Sequence, residues 1–111
     1  MNHSENLKFS KIIGELIVFL LNRGYHTFHF SIKQEAMLET IIIRLATLEP
    51  KDEEELVLKM GRHRETEIET YGWSLLGDSG LEIAGLLIDS IEVEKTDIDV
   101  VVHLKRWKKP L

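Results

Sequence analysis

Residues 50–77, PKDEEELVLKMGRHRETEIETYGWSLLG, are the stretch from which the fold is read. Pro50 suits a first helical turn, where its missing N–H costs nothing. Asp52, Glu53, Glu54 and Glu55 crowd the helix end that attracts negative charge. Gly77 is placed to act as a C-cap, and Asp78-Ser79-Gly80 reads as a turn. Between these signals Val57, Met60, Gly61, Arg64, Ile68, Tyr71, Gly72 and Leu75 recur at steps of three and four. That spacing puts them on one face of a single helix, Pro50–Leu76.

Arg64 stands at the centre of this stripe. A buried guanidinium without a partner costs several kcal/mol, so Arg64 is expected to be paired or to reach water along its stem. Glu67, three residues on, is the natural partner. Gly61 and Gly72 flank it, and each glycine costs about 1 kcal/mol against alanine inside a helix. Two such costs suggest close packing by a strand, a helix or a ligand. Arg64, Glu67 and Tyr71 are therefore the candidate ligand-binding residues, with a carboxylate or phosphate as the matching ligand class. The competing expectation is a structural ion pair at the sheet edge.

On either side of the central helix the pattern changes. A first helix is expected from Leu7 or Ser10 to Asn22, stopped at Arg23-Gly24. Phe9, Ile12, Ile13, Leu16, Ile17, Val18, Phe19, Leu20 and Leu21 cover far more than one stripe of it. A helix apolar on most sides is buried on most sides, and in 111 residues that is hard to achieve within one copy. Either it is sandwiched between the sheet and the central helix, or, as an apolar face of this kind favours, its outer side meets another subunit, which makes Val18, Phe19 and Leu21 candidate interface residues. Trp73, off the main stripe of the central helix, either is held under the following loop, the favoured reading, or stands exposed as a further candidate interface anchor.

Tyr25–Ile32 alternates, with Phe28, Phe30 and Ile32 on one side. Glu39–Leu48 alternates too, with Ile41, Ile43 and Leu45 toward the core. A loose connection over residues 33–37 makes these two runs a hairpin. Ile91 and Val93, then Ile98, Val100, Val102 and Leu104, form a second hairpin turning at Lys95-Thr96-Asp97. Leu81–Ile88 fits either a helical face or a strand. Its β-branched continuation favours a long strand kinked near Gly85. The expected fold is a single α+β domain, a two-layer sandwich of α-β-β-α-β-β order. Four antiparallel strands lie under two helices on one face. Residues 1–6 and 108–111 are expected to be loose ends.

Composition narrows the function classes. With 43% apolar and 30% charged residues the chain is globular. The absence of cysteine removes disulfides, thiol nucleophiles and thiolate metal sites. A net charge of −5 opposes general nucleic-acid binding, although Lys105, Arg106, Trp107, Lys108 and Lys109 make a short basic-aromatic tail. That tail reads as lysines keeping a terminal strand soluble. The run from Ile12 to Leu21 is broken by Gly14 and Glu15 and is too short to span a bilayer, so a cytoplasmic protein is expected.

Few residues suggest chemistry. His63 and Glu67 share a metal-ligand spacing, and His29 and His103 would join them only if folding brought them together, so no metal site is expected. Glu65, Glu67 and Glu69 diverge around a helix and make no acid–base pair. No phosphate loop or local nucleophile pattern occurs, and no cofactor is expected.

Gly14-Glu15-Leu16 through Asn22-Arg23-Gly24-Tyr25, with two strands following, faintly resembles the opening of the histidine-kinase and gyrase type ATPase fold. The resemblance would imply a magnesium-holding asparagine in mid-helix and an Asp-x-Gly after a later strand. Here Asn22 ends its helix and Ala46-Thr47-Leu48-Glu49-Pro50 holds no Asp-x-Gly, so no functional residue carries over. The expectation is a noncatalytic interaction or regulatory module acting as a homodimer, with room for another protein partner. The alternative is a small-molecule or anion-binding domain around Arg64.

Overall fold

The computed structural model describes residues 3–61 and 80–107. In chain order the elements are α1 (His3–Asn22), β1 (Phe28–Gln34), β2 (Leu38–Leu45) and α2 (Pro50–Met60). A short α3 (Gly80–Gly85), β3 (Ser90–Lys95) and β4 (Val100–Trp107) follow. The strands form an open antiparallel sheet in the order β1-β2-β4-β3. Helices cover one face, which gives the expected two-layer α+β sandwich and its α-β-β-α-β-β order.

Period-two alternation sorts the sheet into two faces. On the covered side the cross-strand rows are Phe28–Leu45–Val100, Phe30–Ile43–Val102–Val93 and Ile32–Ile41–Leu104–Ile91. Ile41, Ile43, Leu45, Val100, Val102 and Leu104 are buried there. They pack with Phe9, Ile12, Leu16, Phe19 and Leu20 of α1 and with Leu56 and Met60 of α2. The other face is mixed, as its sequence suggests. Val101 is buried on it, between the neighbouring-strand partners Arg44 and Glu94.

The next row on the covered side is not apolar. Glu39 stands directly opposite Arg106, and each is only 1% exposed. Arg106 donates from Nη1 to the Leu87 carbonyl at 2.5 Å and from Nη2 to Glu5 Oε2 at 2.7 Å. Its Nε lies 3.5 Å from Glu39 Oε1. The other Glu39 oxygen accepts from Gln34 Nε2 at 2.5 Å. Lys8, also buried, brings Nζ to 3.6 Å from Glu5. The carboxylates of Glu39 and Glu5 thus neutralise a guanidinium that water does not reach.

The structure differs from the sequence-based expectation at several places. α1 begins at His3, and Glu5, assigned to a loose end, is bonded to Arg106. The second strand ends at Leu45, three residues before the expected Leu48. α2 ends at Met60, with Gly61 as its C-cap residue, where a helix running on to Leu76 is expected. A Cβ at Gly61 would lie 2.5 Å from the Val57 carbonyl oxygen. The buried side of α2 is also turned from the expected stripe: Asp52, Leu56 and Met60 are buried, while Val57 is exposed. Asp52 sets that rotation through bonds to α1 and its following loop, described below. The remainder of the expected rod, residues 62–76, lies outside the described residues.

Leu81–Ile88 is α3 and a turn rather than a strand. Leu81, Ala84, Leu87 and Ile88 are buried in the core cluster. Gly85 is the reason this segment fits: a Cβ there would lie 2.4 Å from the Lys59 carbonyl oxygen and 2.8 Å from Met60 Cα. The backbones of α3 and α2 therefore touch.

Two outcomes follow for stability. Arg106→Met strands Glu39 in the core and should cost about 3–5 kcal/mol in urea unfolding, while the double variant Arg106→Met/Glu39→Leu should recover most of that loss. Gly85→Ala forces the two helices apart and should cost about 1–3 kcal/mol by the same measurement.

Candidate protein interface

Twenty residues of α1 give a rod about 30 Å long. At 100° per residue, Leu7, Ser10, Gly14, Val18 and Leu21 share the side opposite the buried Ile12 and Leu16. All five are exposed, with Leu7 at 41%, Val18 at 50% and Leu21 at 47%. Lys11 and Glu15 border this face on one flank and are joined by a 2.9 Å ion pair. Ile13 and Ile17, partly buried, border it on the other. Gly14 stands in the middle, and a Cβ added there would meet no atom of the described residues within 4 Å. A glycine inside a helix costs about 1 kcal/mol against alanine, and nothing described in this copy requires its small size.

Both ends of the rod are fixed. The Glu5–Arg106 bond holds the first turn. At the other end Gly24 adopts φ +90°, and the Tyr25 N–H reaches the Leu20 carbonyl while the Gly24 N–H reaches that of Leu21. This is a Schellman stop, which a glycine at position 24 makes cheap.

The chain leaving that stop is tied to α2. Tyr25 donates its hydroxyl hydrogen to Asp52 Oδ2 at 2.6 Å and accepts the Glu49 N–H at 2.9 Å. It therefore serves the N-terminus of α2, where Glu49 makes no side-chain cap of its own. Arg23 donates to Asp52 Oδ1 at 3.0 Å and to Glu55, and its guanidinium lies 4.9 Å above the Phe19 ring. Lys59 adds a second bond to Glu55 at 3.1 Å. Hydrogen bonding from Arg23, then from Lys59, holds the Glu55 carboxyl below its ordinary value. The bond to Glu55 raises Arg23 further above its own. Burial, and then the bond donated to Asp52, pushes the Tyr25 phenol up.

The candidate residues fall into three groups. Val18 and Leu21 stand on the outward face of α1, joined there by Leu7. Phe19, at 8% exposure, belongs to the core and supports Arg23 from beneath. Arg64, Glu67, Tyr71 and Trp73 lie outside the described residues, as does His63. His29 and His103 are not neighbours. His29 pairs with Arg44 on β2, whereas His103 pairs with Ile42 two positions away along that strand. No group of three metal-ligating side chains occurs among the described residues.

Two grooves lie away from this face. One, of about 430 Å³, runs beside α2 past Pro50, Val57 and Leu58, and the Lys95–Glu53 ion pair at 3.1 Å borders it. The other, of about 500 Å³, lies against β3 and β4 and is lined by Glu92, Glu94, His103 and Lys105. The buried Glu39–Arg106 pair escapes a reading of the sequence that assigns Arg106 to a basic tail. Continuing the alternation one step past Leu104, and one step before Ile41, places both residues on the core side. Comparison with protein-family models, with curated proteins and with solved structures finds no match.

The Tyr25 bonds give a pH signature. A phenol raised in the folded state contributes stability that is complete below the unfolded value near 10 and lost as pH climbs through the folded one. Tyr25→Phe should cost about 1–3 kcal/mol at neutral pH. Its urea midpoint should also fall less steeply than that of the parent above pH 10.

Proposed function

We propose that this chain is a noncatalytic interaction module that works as a homodimer, with the outward face of α1 as the contact. The observation that carries the reading is the exposure of Leu7, Val18 and Leu21 on one side of a helix pinned at both ends. Apolar side chains grouped in this way lose little freedom on association and gain from leaving water. A net charge of −5 keeps separate copies soluble without placing a formal charge among those three residues.

A cytoplasmic setting belongs to the same proposal and is supported by the cysteine-free sequence. No described helix is long and apolar enough to cross a membrane. The alternative, an anion pocket around Arg64, Glu67 and Tyr71, rests on residues outside the described part.

Light scattering tests the proposal directly. The expected mass is twice the 12.9 kDa of one chain. Val18→Glu should raise the dissociation constant at least about 100-fold, because an unpaired carboxylate at an apolar contact costs several kcal/mol. The circular dichroism of the variant should match that of the parent. A parent protein that stays monomeric at its highest soluble concentration would end this reading.

A further inference from the structure

We infer that two copies dock α1 against α1 in antiparallel fashion, with the two-fold axis passing at Gly14. This rests on the homodimer reading and adds its geometry. Leu7 and Leu21 each stand seven residues from Gly14. In an antiparallel pair centred there, every residue meets the one equally far on the other side of Gly14. Leu7 of each copy then packs on Leu21 of the other, and the contact is made twice, as a two-fold interface requires.

The flanks choose between the two orientations. Lys11 and Glu15 border one side of the exposed face, and Ile13 and Ile17 border the other. A two-fold axis perpendicular to antiparallel helices keeps equivalent flanks together. The charged border of one copy then lies beside that of the other, with Lys11 about two residues, or ~3 Å of helix rise, from the level of the opposite Glu15. Isoleucines meet isoleucines on the far side. A two-fold parallel pair would set Lys11 and Glu15 against Ile13 and Ile17 and leave charge against apolar surface. Gly14 completes the fit. No atom of the described residues comes within 4 Å of a Cβ built there, and at the crossing point glycine lets the second backbone approach closely.

The natural chain contains no cysteine, so introduced thiols report without background. Leu7→Cys and Leu21→Cys variants, each at an exposed position, should form a disulfide when mixed under mild oxidation. Neither should cross-link with itself, because equivalent positions are then separated by ~21 Å of helix rise. The mixture should exceed either variant alone by at least about tenfold in cross-linked yield. Self-cross-linking of Leu7→Cys alone would establish parallel helices and overturn the inference while leaving the dimer intact. A dimer by light scattering with no cross-link in the mixture would also overturn it. A monomer would remove the functional reading itself. Gly14→Leu starts from a Cβ that meets no atom of the described residues and should weaken the dimer; undiminished association would exclude an axis at Gly14.

Discussion

The pairing of β2 with β4 is the constraint from which the rest of this fold follows. It joins a strand from each half of the chain at the centre of the sheet. Glu39 and Arg106 fix its register. A slip of one residue would set Glu39 against Lys105 or Trp107 and turn the apolar row of β2 or β4 to the wrong face. It would also leave a carboxylate or a guanidinium inside the sandwich without its counter-charge. A buried ion pair often adds little net stability compared with apolar residues of the same shape. It does add to the cost of other alignments, because a slip of two residues keeps the apolar rows inward but separates Glu39 from Arg106.

From that pair the constraint extends to the helices. Arg106 also binds Glu5 and the carbonyl of Leu87, so one guanidinium connects the sheet, the start of α1 and the turn after α3. The opposite end of α1 is held by a second polar cluster in which Tyr25 and Arg23 share Asp52. Asp52 sits in the first turn of α2, buried, and four-residue spacing then turns Leu56 and Met60 inward. The apolar centre of the sandwich is thus closed by charge at two places. Each of these polar contacts joins segments far apart in sequence.

Much of this was legible in the residues. Alternation at Phe28–Phe30–Ile32, Ile41–Ile43–Leu45 and Val100–Val102–Leu104 identifies three strands and their core-facing rows, although Ile32 at the open edge of the sheet stays exposed. Gly24 marks the end of α1, and part of the apolar excess of that helix, Val18 and Leu21, is exposed. Strand order was not legible, because alternation describes each strand alone and says nothing of its neighbours. The segment around Gly85 was misread since a six-residue helix has too few turns for its period to stand out from a strand's. What decides it is a backbone contact with Lys59 and Met60, a tertiary fact. The rotation of α2 was missed for a related reason: an acidic residue in a first turn is ordinarily at the surface, and only the arrival of Tyr25 and Arg23 makes Asp52 an inward position. The Arg64 cluster, placed on a rod continuing past Gly61, falls outside the described residues.

The two anchors of α1 bear on how quickly a second molecule would be captured. A helix already fastened at its first and last turns presents its leucines in their final spacing before any encounter. If two copies associate there, no coil-to-helix step would precede contact, and little backbone freedom would be surrendered. Assembly would then be timed by diffusion and orientation, in the ordinary range of about 10⁵–10⁷ M⁻¹s⁻¹ for preformed patches, rather than by the slower ordering of a flexible segment.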